Sequence, residues 1–225
     1  MWRELKRLAK PRAAIVLFGS QPFTSALIAS NFEWFKYELI WDKERGYDPQ
    51  LANIRPMKAH ENIAVFGTSD GGITYYPQME ERVTPIRKTF TKRLQIRKDG
   101  TGHPLFASMP PAEKTYNHKF PISVQVFGNH DQVNKYHPSQ KPLALMEYLV
   151  KTYTNPGDTV LDFTSGSGTT LRACKNLGRC SVGIEMLEHY CAATVKRLAP
   201  AFEAALIDDG ASLTDLPLFA LELTQ

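Results

Sequence analysis

The apolar positions of this chain fall into short blocks whose spacing changes along its length. Residues 2–9 carry Trp2, Leu5 and Leu8 at helical spacing, which predicts a short amphipathic helix ended by Pro11. Ala13 to Phe18 is a continuous apolar run closed by Gly19 and Ser20. Such a run suits a strand buried on both faces, as in a parallel sheet. Ser20 is a candidate cap for a helix over roughly 22–30. Trp34 to Trp41 alternates aromatic and polar residues, and Ile63 to Phe66 is a further apolar run, so both are expected to be strands.

The pattern weakens from Thr68 to about His130, where Gly, Pro, Thr and charged residues dominate. Between positions 82 and 98 lie Arg82, Arg87, Lys88, Lys92, Arg93, Arg97 and Lys98, with no acidic residue. A long segment without clear periodicity suggests an inserted functional lobe. A solvated charged loop is the competing reading.

Regular patterning returns at Pro142. Leu143 to Tyr153 predicts a helix, and Asn155-Pro156-Gly157-Asp158 a turn. Thr159 to Asp162 predicts a short strand. A glycine-rich turn, Ser165 to Thr170, then opens a helix through Leu177. Cys180 to Ile184 predicts a strand ending at Glu185, followed by a helix over Met186 to Leu198. Strands alternating with helices argue for an α/β domain with a parallel sheet.

Composition narrows the class. A chain of 225 residues, 43% hydrophobic and 22% charged, suits one globular domain with room for an inserted lobe. The net charge of +4 permits a polyanionic partner without demanding one. The three cysteines, Cys174, Cys180 and Cys191, form no C-x-x-C pair. They read as reduced thiols of a cytoplasmic protein, with no disulfide framework and no zinc site. No apolar stretch matches a signal peptide or a bilayer span, so no membrane association is expected. The histidines are scattered without metal-ligand spacing.

The strongest chemical signal is Val160-Leu161-Asp162-Phe163-Thr164-Ser165-Gly166-Ser167-Gly168-Thr169-Thr170, followed by Gly183-Ile184-Glu185. Glycines let a backbone turn sharply and approach a ligand closely. An acidic residue at the end of the next strand can accept both hydroxyls of a ribose. A dinucleotide site would add a third glycine, to seat a pyrophosphate on the helix N-terminus, and this loop lacks it. S-adenosylmethionine carries no phosphate and is cationic at sulfur, so an acidic residue before the loop suits it better. A purely structural glycine turn is the remaining alternative. Upstream, His137-Pro138-Ser139-Gln140-Lys141-Pro142 forms a stiff, polar entry to the predicted helix.

In this order, these strings resemble the β-class of N6-adenine and N4-cytosine DNA methyltransferases. The segments 13–23, 34–43 and 55–67 also resemble strands of that class, and the likeness covers nearly the whole chain. The resemblance implies a doubly wound, mostly parallel α/β sheet of the S-adenosylmethionine-dependent type with an inserted recognition lobe. It implies a division into 1–67, a basic target-recognition lobe over 68–130, and a cofactor subdomain over 131–225. It places His137, Ser139, Lys141 and Pro142 at the methionine side of the cofactor. Asp162, Phe163, Gly166, Ser167, Gly168 and Thr169 would cradle it, and Glu185 would hold its ribose. The class usually has phenylalanine where Thr164 stands; here Phe163 is shifted by one position. The basic residues of the lobe would contact double-stranded DNA. Tyr75, Tyr76 and Tyr116 are candidates for stacking on DNA or for packing in the lobe core.

The class catalyses with a [D/N/S]-P-P-[Y/W/F] loop, and none occurs here. The one Pro-Pro pair, Pro110-Pro111, sits within the lobe. By resemblance the loop would precede residue 1, and one central strand, between the segments 13–18 and 159–162, is expected to be missing. The chain would then be a truncated remnant, half of a split enzyme completed by a separate polypeptide, or part of a longer protein. The implied reaction is base flipping and direct methyl transfer to an exocyclic amine, without metal and without a cysteine nucleophile. A binding remnant without catalysis and a dinucleotide oxidoreductase are the other readings. Dimers are common in the class, which makes a homodimer possible.

Overall fold

The computed structural model describes residues 1–68, 72–90, 112–129, 137 and 139–198. Lys92, Arg93, Arg97, Lys98 and the Pro110-Pro111 pair lie outside them. The chain forms two compact units, one of residues 1–76 with 122–225, the other of residues 77–121.

In the larger unit the first helix, α1 (Trp2–Leu8), is followed by β1 (Ala14–Gly19), α2 (Phe23–Ala29), β2 (Phe35–Tyr47) and β3 (Lys58–Gly67). The sheet order is β1-β3-β2, extended by β6 (Val124–Val126). Both β1 and β2 pair antiparallel with β3, and only β6 joins in parallel. The sheets are therefore mixed, and the parallel neighbour expected for the 13–18 run is not its partner here. Continuous apolarity reports burial on both faces and says nothing about strand direction. Alternate residues of β3 serve two cores. Ile63 and Val65 pack with Leu39, Trp41 and, from α3 (Leu143–Tyr153), Leu145, Leu149 and Tyr153. Ala64 and Phe66 face Ile15, Leu27, Trp2 and Leu5. The Trp2 and Phe66 rings lie 4.8 Å apart, which anchors α1, while Leu8 stays exposed.

Ser20 does not cap α2 with its side chain. The N-cap is Pro22, and the Ser20 carbonyl accepts from Thr24 N at 3.2 Å.

A second sheet pairs β7 (Thr159–Asp162) in parallel with β8 (Cys180–Gly183). Helix α4 (Thr169–Asn176) packs on α3, where Val150 meets Ala173 and Cys174. Burial pushes the Cys174 thiol up to about 12, which removes it from nucleophilic chemistry. Helix α5 (Glu188–Leu198) ends the described chain.

Among the described residues, β1 has β3 as its only ladder partner and β7 has only β8. A cleft of about 1040 Å³ is lined by both strands, by Leu5 of α1 and by Met146 and Leu149 of α3. Each strand thus has one edge without a ladder partner among the described residues, the condition under which a strand edge accepts a further strand, and both strands line the same cleft.

The smaller unit is an antiparallel pair of β4 (Glu80–Phe90) and β5 (Ala112–Lys119), with Ile86 opposite Tyr116 and Lys88 opposite Lys114. The Lys119 ammonium meets the Glu80 carboxylate at 2.7 Å.

Candidate functional site

Strand β7 delivers Asp162 to the start of the glycine turn. Its carboxylate accepts from Thr164 N at 3.1 Å and from the Thr170 hydroxyl, so it closes the turn onto the first residues of α4. The turn then needs two left-handed backbone positions, and glycine occupies both: Gly166 at φ +52 and Gly168 at φ +71. Gly168 also has no room for a side chain, because a Cβ there would collide with Thr194 of α5. Gly168→Ala should therefore destabilise the chain by about 2 kcal/mol. A thermal melt should show this as a drop of roughly 4–8 °C.

Helix α5 clamps the turn from behind. The Thr194 hydroxyl donates to the Gly166 carbonyl at 3.2 Å, and Arg197 reaches the Ser167 carbonyl, its hydroxyl at 3.0 Å and Thr169 Oγ1 at 3.3 Å. The Ser167 hydroxyl donates to Gln140 Oε1 at 2.9 Å, tying the turn to the upstream polar motif. The His137 ring lies over Gly166, whose Cβ would sit 3.5 Å from it, and packs on Tyr190 at 4.3 Å. Ser139 donates to His137 Nδ1 from its backbone at 3.1 Å.

Glu185 ends β8 beside the same turn. Its carboxylate accepts from Leu187 N, Gly166 N and Met186 N at 2.9–3.0 Å. These backbone donors, Leu187 foremost, hold its carboxyl below the ordinary carboxylate range. Three of the roughly four acceptor sites of a carboxylate are thus occupied.

The cleft gathers His137, Ser139, Lys141, Asp162, Phe163, Gly166, Ser167 and Thr169 along its wall. Pro142, Gly168 and Glu185 are not part of that lining. Pro142 is the N-cap of α3, Gly168 backs onto Thr194, and Glu185 grips Gly166 by its backbone N–H. Phe163 is half-buried and Thr164 exposed, and both line the cleft, so an aromatic ring is available to it one position early.

Lys141 has a second commitment that the sequence did not reveal. Its ammonium meets Glu61 Oε2 at 2.9 Å, and Lys43 meets Glu61 Oε1 at 2.6 Å. The Lys141 ammonium lies 5.0 Å from the Phe18 ring centre and 5.6 Å from that of Trp41. Burial by itself would raise the Glu61 carboxyl, but the two ammonium groups outweigh it and hold the carboxyl below its usual range. A depressed carboxyl contributes stability that is present above its unfolded value of about 4.3 and is lost as pH falls through the folded value. Glu61→Gln should cost about 3 kcal/mol near neutral pH, since it strands two lysines around a neutral amide. In urea melts the gap from wild type should narrow below about pH 4.3.

Of the turn-clamping residues, Thr170 was visible only as the end of the glycine turn, and Thr194 and Arg197 were missed. Thr194 and Arg197 stand three apart on α5, a spacing that puts them on one face, and this was the signal available. Of the predicted basic contacts, Arg82, Arg87 and Lys88 lie on β4, with Arg82 donating to the His118 carbonyl at 3.1 Å. Tyr75 packs on Tyr153 at 6.3 Å and Tyr76 donates to Asn155 Oδ1 at 2.6 Å, so both belong to the larger unit.

A DNA methylase family model matches residues 1–196, a range that includes β1 to β8 and the glycine turn. The chain belongs to this family. Type II methyltransferase M.HpaI of Haemophilus parainfluenzae is 43% identical to it over 68 residues, 30% of this chain and 22% of that protein. The chain's matches to curated methylases thus span less than a third of those proteins' lengths. Among solved structures, M1.HpyAVI in its SAM complex is 26% identical, with a TM-score of 0.57 over 86% of this chain and 78% of that one. The PvuII cytosine-N4-specific DNA methyltransferase, at 18% identity, shares the fold with a TM-score of 0.57 over 84% of this chain and 64% of that one. Among the described residues of this family member, no helix is long and apolar enough to cross a membrane.

Proposed function

We propose that this chain carries the cofactor site and the DNA-contacting lobe of an enzyme that methylates the exocyclic amine of adenine (N6) or cytosine (N4) in double-stranded DNA, with S-adenosylmethionine as donor. The observation that carries the reading is the glycine turn between β7 and α4, held open to a large cleft by Asp162 on one side and Glu185 on the other. Two carboxylates flank this turn, and the Arg197 guanidinium beside it is engaged with Ser167 and Thr169. Such a donor set favours a cationic nucleotide without phosphates over a pyrophosphate. The family match to residues 1–196 and the likeness to M1.HpyAVI, a protein whose complex with SAM is known, support the same choice.

The bound cofactor would supply a methyl group on a positively charged sulfur. This chain's residues would do the rest by position. Asp162 and the Gly166–Thr169 backbone hold one side of the ligand, and His137 with Ser139 closes over the turn. Glu185 offers its remaining acceptor site to a ribose hydroxyl. A target base enters after flipping out of the duplex. The cleft lined by β1 and β7 receives an extended polypeptide strand whose end carries the catalytic loop, a reading supported by each of the two strands having one ladder partner among the described residues. The free thiols Cys174, Cys180 and Cys191 support a reducing compartment, such as the cytoplasm, as its location.

Calorimetric titration of the purified chain with S-adenosylmethionine tests the reading. Saturable one-to-one binding is expected, and a folded chain that gives no saturable heat would remove the cofactor assignment.

A further inference from the structure

The two faces of the antiparallel pair in the smaller unit place their charges differently. Successive strand residues point to opposite sides, and cross-strand partners share a side. Arg87 stands opposite Thr115, Thr89 opposite Glu113 and, beyond the register shift, Glu80 opposite Lys119, so the paired positions of that face carry two cations and two carboxylates. Among the paired positions, the other face carries Ile86 opposite Tyr116, Lys88 opposite Lys114 and, beyond the register shift, Glu81 opposite His118, so the two lysines stand directly opposite each other and the one carboxylate lies further along the strand. Both ammonium groups lie over the half-buried Tyr116 ring, Lys114 at 5.1 Å and Lys88 at 5.9 Å from its centre. Like charges directly opposite each other in a ladder destabilise it. Stacking on the ring offsets part of that cost. A polyanion would remove the rest.

We infer that Lys88, Lys114 and Tyr116 form a phosphate-backbone contact on one face of the hairpin, and that Arg87 lies on the face turned away from DNA. The assignment rests on the DNA-methylating reading above and deepens it. It adds Lys114 and Tyr116, which the basic run of the sequence does not include, and removes Arg87, which it does. The contact is to backbone and so sets affinity without reading bases. Tyr116 fixes the spacing of the two ammonium groups.

The test is the salt dependence of binding of a fluorescein-labelled random-sequence duplex to the full chain, read by anisotropy. Each phosphate contact contributes about 0.9 to the slope of log affinity against log salt. The double variant K88M/K114M keeps the aliphatic stems and should lower that slope by about 1.8. R87M should leave it within a few tenths, about the scatter of such slopes. Equal slope losses in the two variants, or no loss in the double variant, would overturn the face assignment while leaving the methylation reading standing. A wild-type chain without salt-dependent duplex binding would overturn the DNA partner and this contact together. Lysine acetylation followed by mass spectrometry gives a check that needs no variant. Bound duplex should protect Lys88 and Lys114 but not Lys119, which is paired with Glu80. Unchanged labelling of Lys88 and Lys114 by a DNA-bound chain would refute the contact.

Discussion

Asp162→Ala should weaken S-adenosylmethionine binding by at least about a hundredfold, as two charge-assisted hydrogen bonds at roughly 1.5–3 kcal/mol each are lost. The effect is large because the carboxylate acts twice. It fixes the turn, through Thr164 N and the Thr170 hydroxyl, and it places negative charge where a cationic ligand would lie. Asp162→Asn separates the two roles. The amide oxygen can still accept from Thr164 N, so the fold should survive, while the charge is gone. Isothermal titration should therefore show weak binding by a stable D162N chain and weaker binding by a less stable D162A chain. Equal, near wild-type affinity in both would mean that the ligand lies elsewhere.

Much of this half of the molecule was legible in the sequence because its signals are local. The helix expected over 143–153 and the strand over 159–162 fall where α3 and β7 lie. Gly166 and Gly168 announced a turn that only residues tolerant of positive φ can make. Three features were not legible, each for a physical reason. Strands β4 and β5 were hidden because their residues are exposed on both faces, Val83 fully so, and pairing rather than burial holds them. The antiparallel direction of β3 was hidden because Ile63 to Phe66 is buried on both sides, which erases alternation. The Glu61 cluster was hidden because its partners, Lys43 and Lys141, lie 18 and 80 positions away. The expected division at 68 and 130 and the site roles of individual residues remain proposals.

The second large effect concerns the cleft. Fusing a strand of about six apolar residues ending in Asp-Pro-Pro-Tyr ahead of Met1 should raise the melting temperature by roughly 5–10 °C. The gain comes from ladder hydrogen bonds at about 1 kcal/mol each on the open edges of β1 and β7, less the cost of ordering the added segment. Leu5, Val16, Met146 and Val160 line the cleft and would cover the strand's apolar faces. Met1 lies on the same wall, so a fused segment starts within reach. A control strand with a proline at its third position cannot complete the ladder and should give no gain. Equal melting temperatures for the two fusions would show that the cleft does not accept a strand.

The most direct test of the central claim is transfer of labelled methyl from S-adenosylmethionine to duplex DNA by the chain fused to that strand and loop. The account predicts label on the N6 of adenine or the N4 of cytosine, lost on Asp162→Ala. A fused chain that binds both cofactor and DNA yet leaves the DNA unlabelled would contradict it.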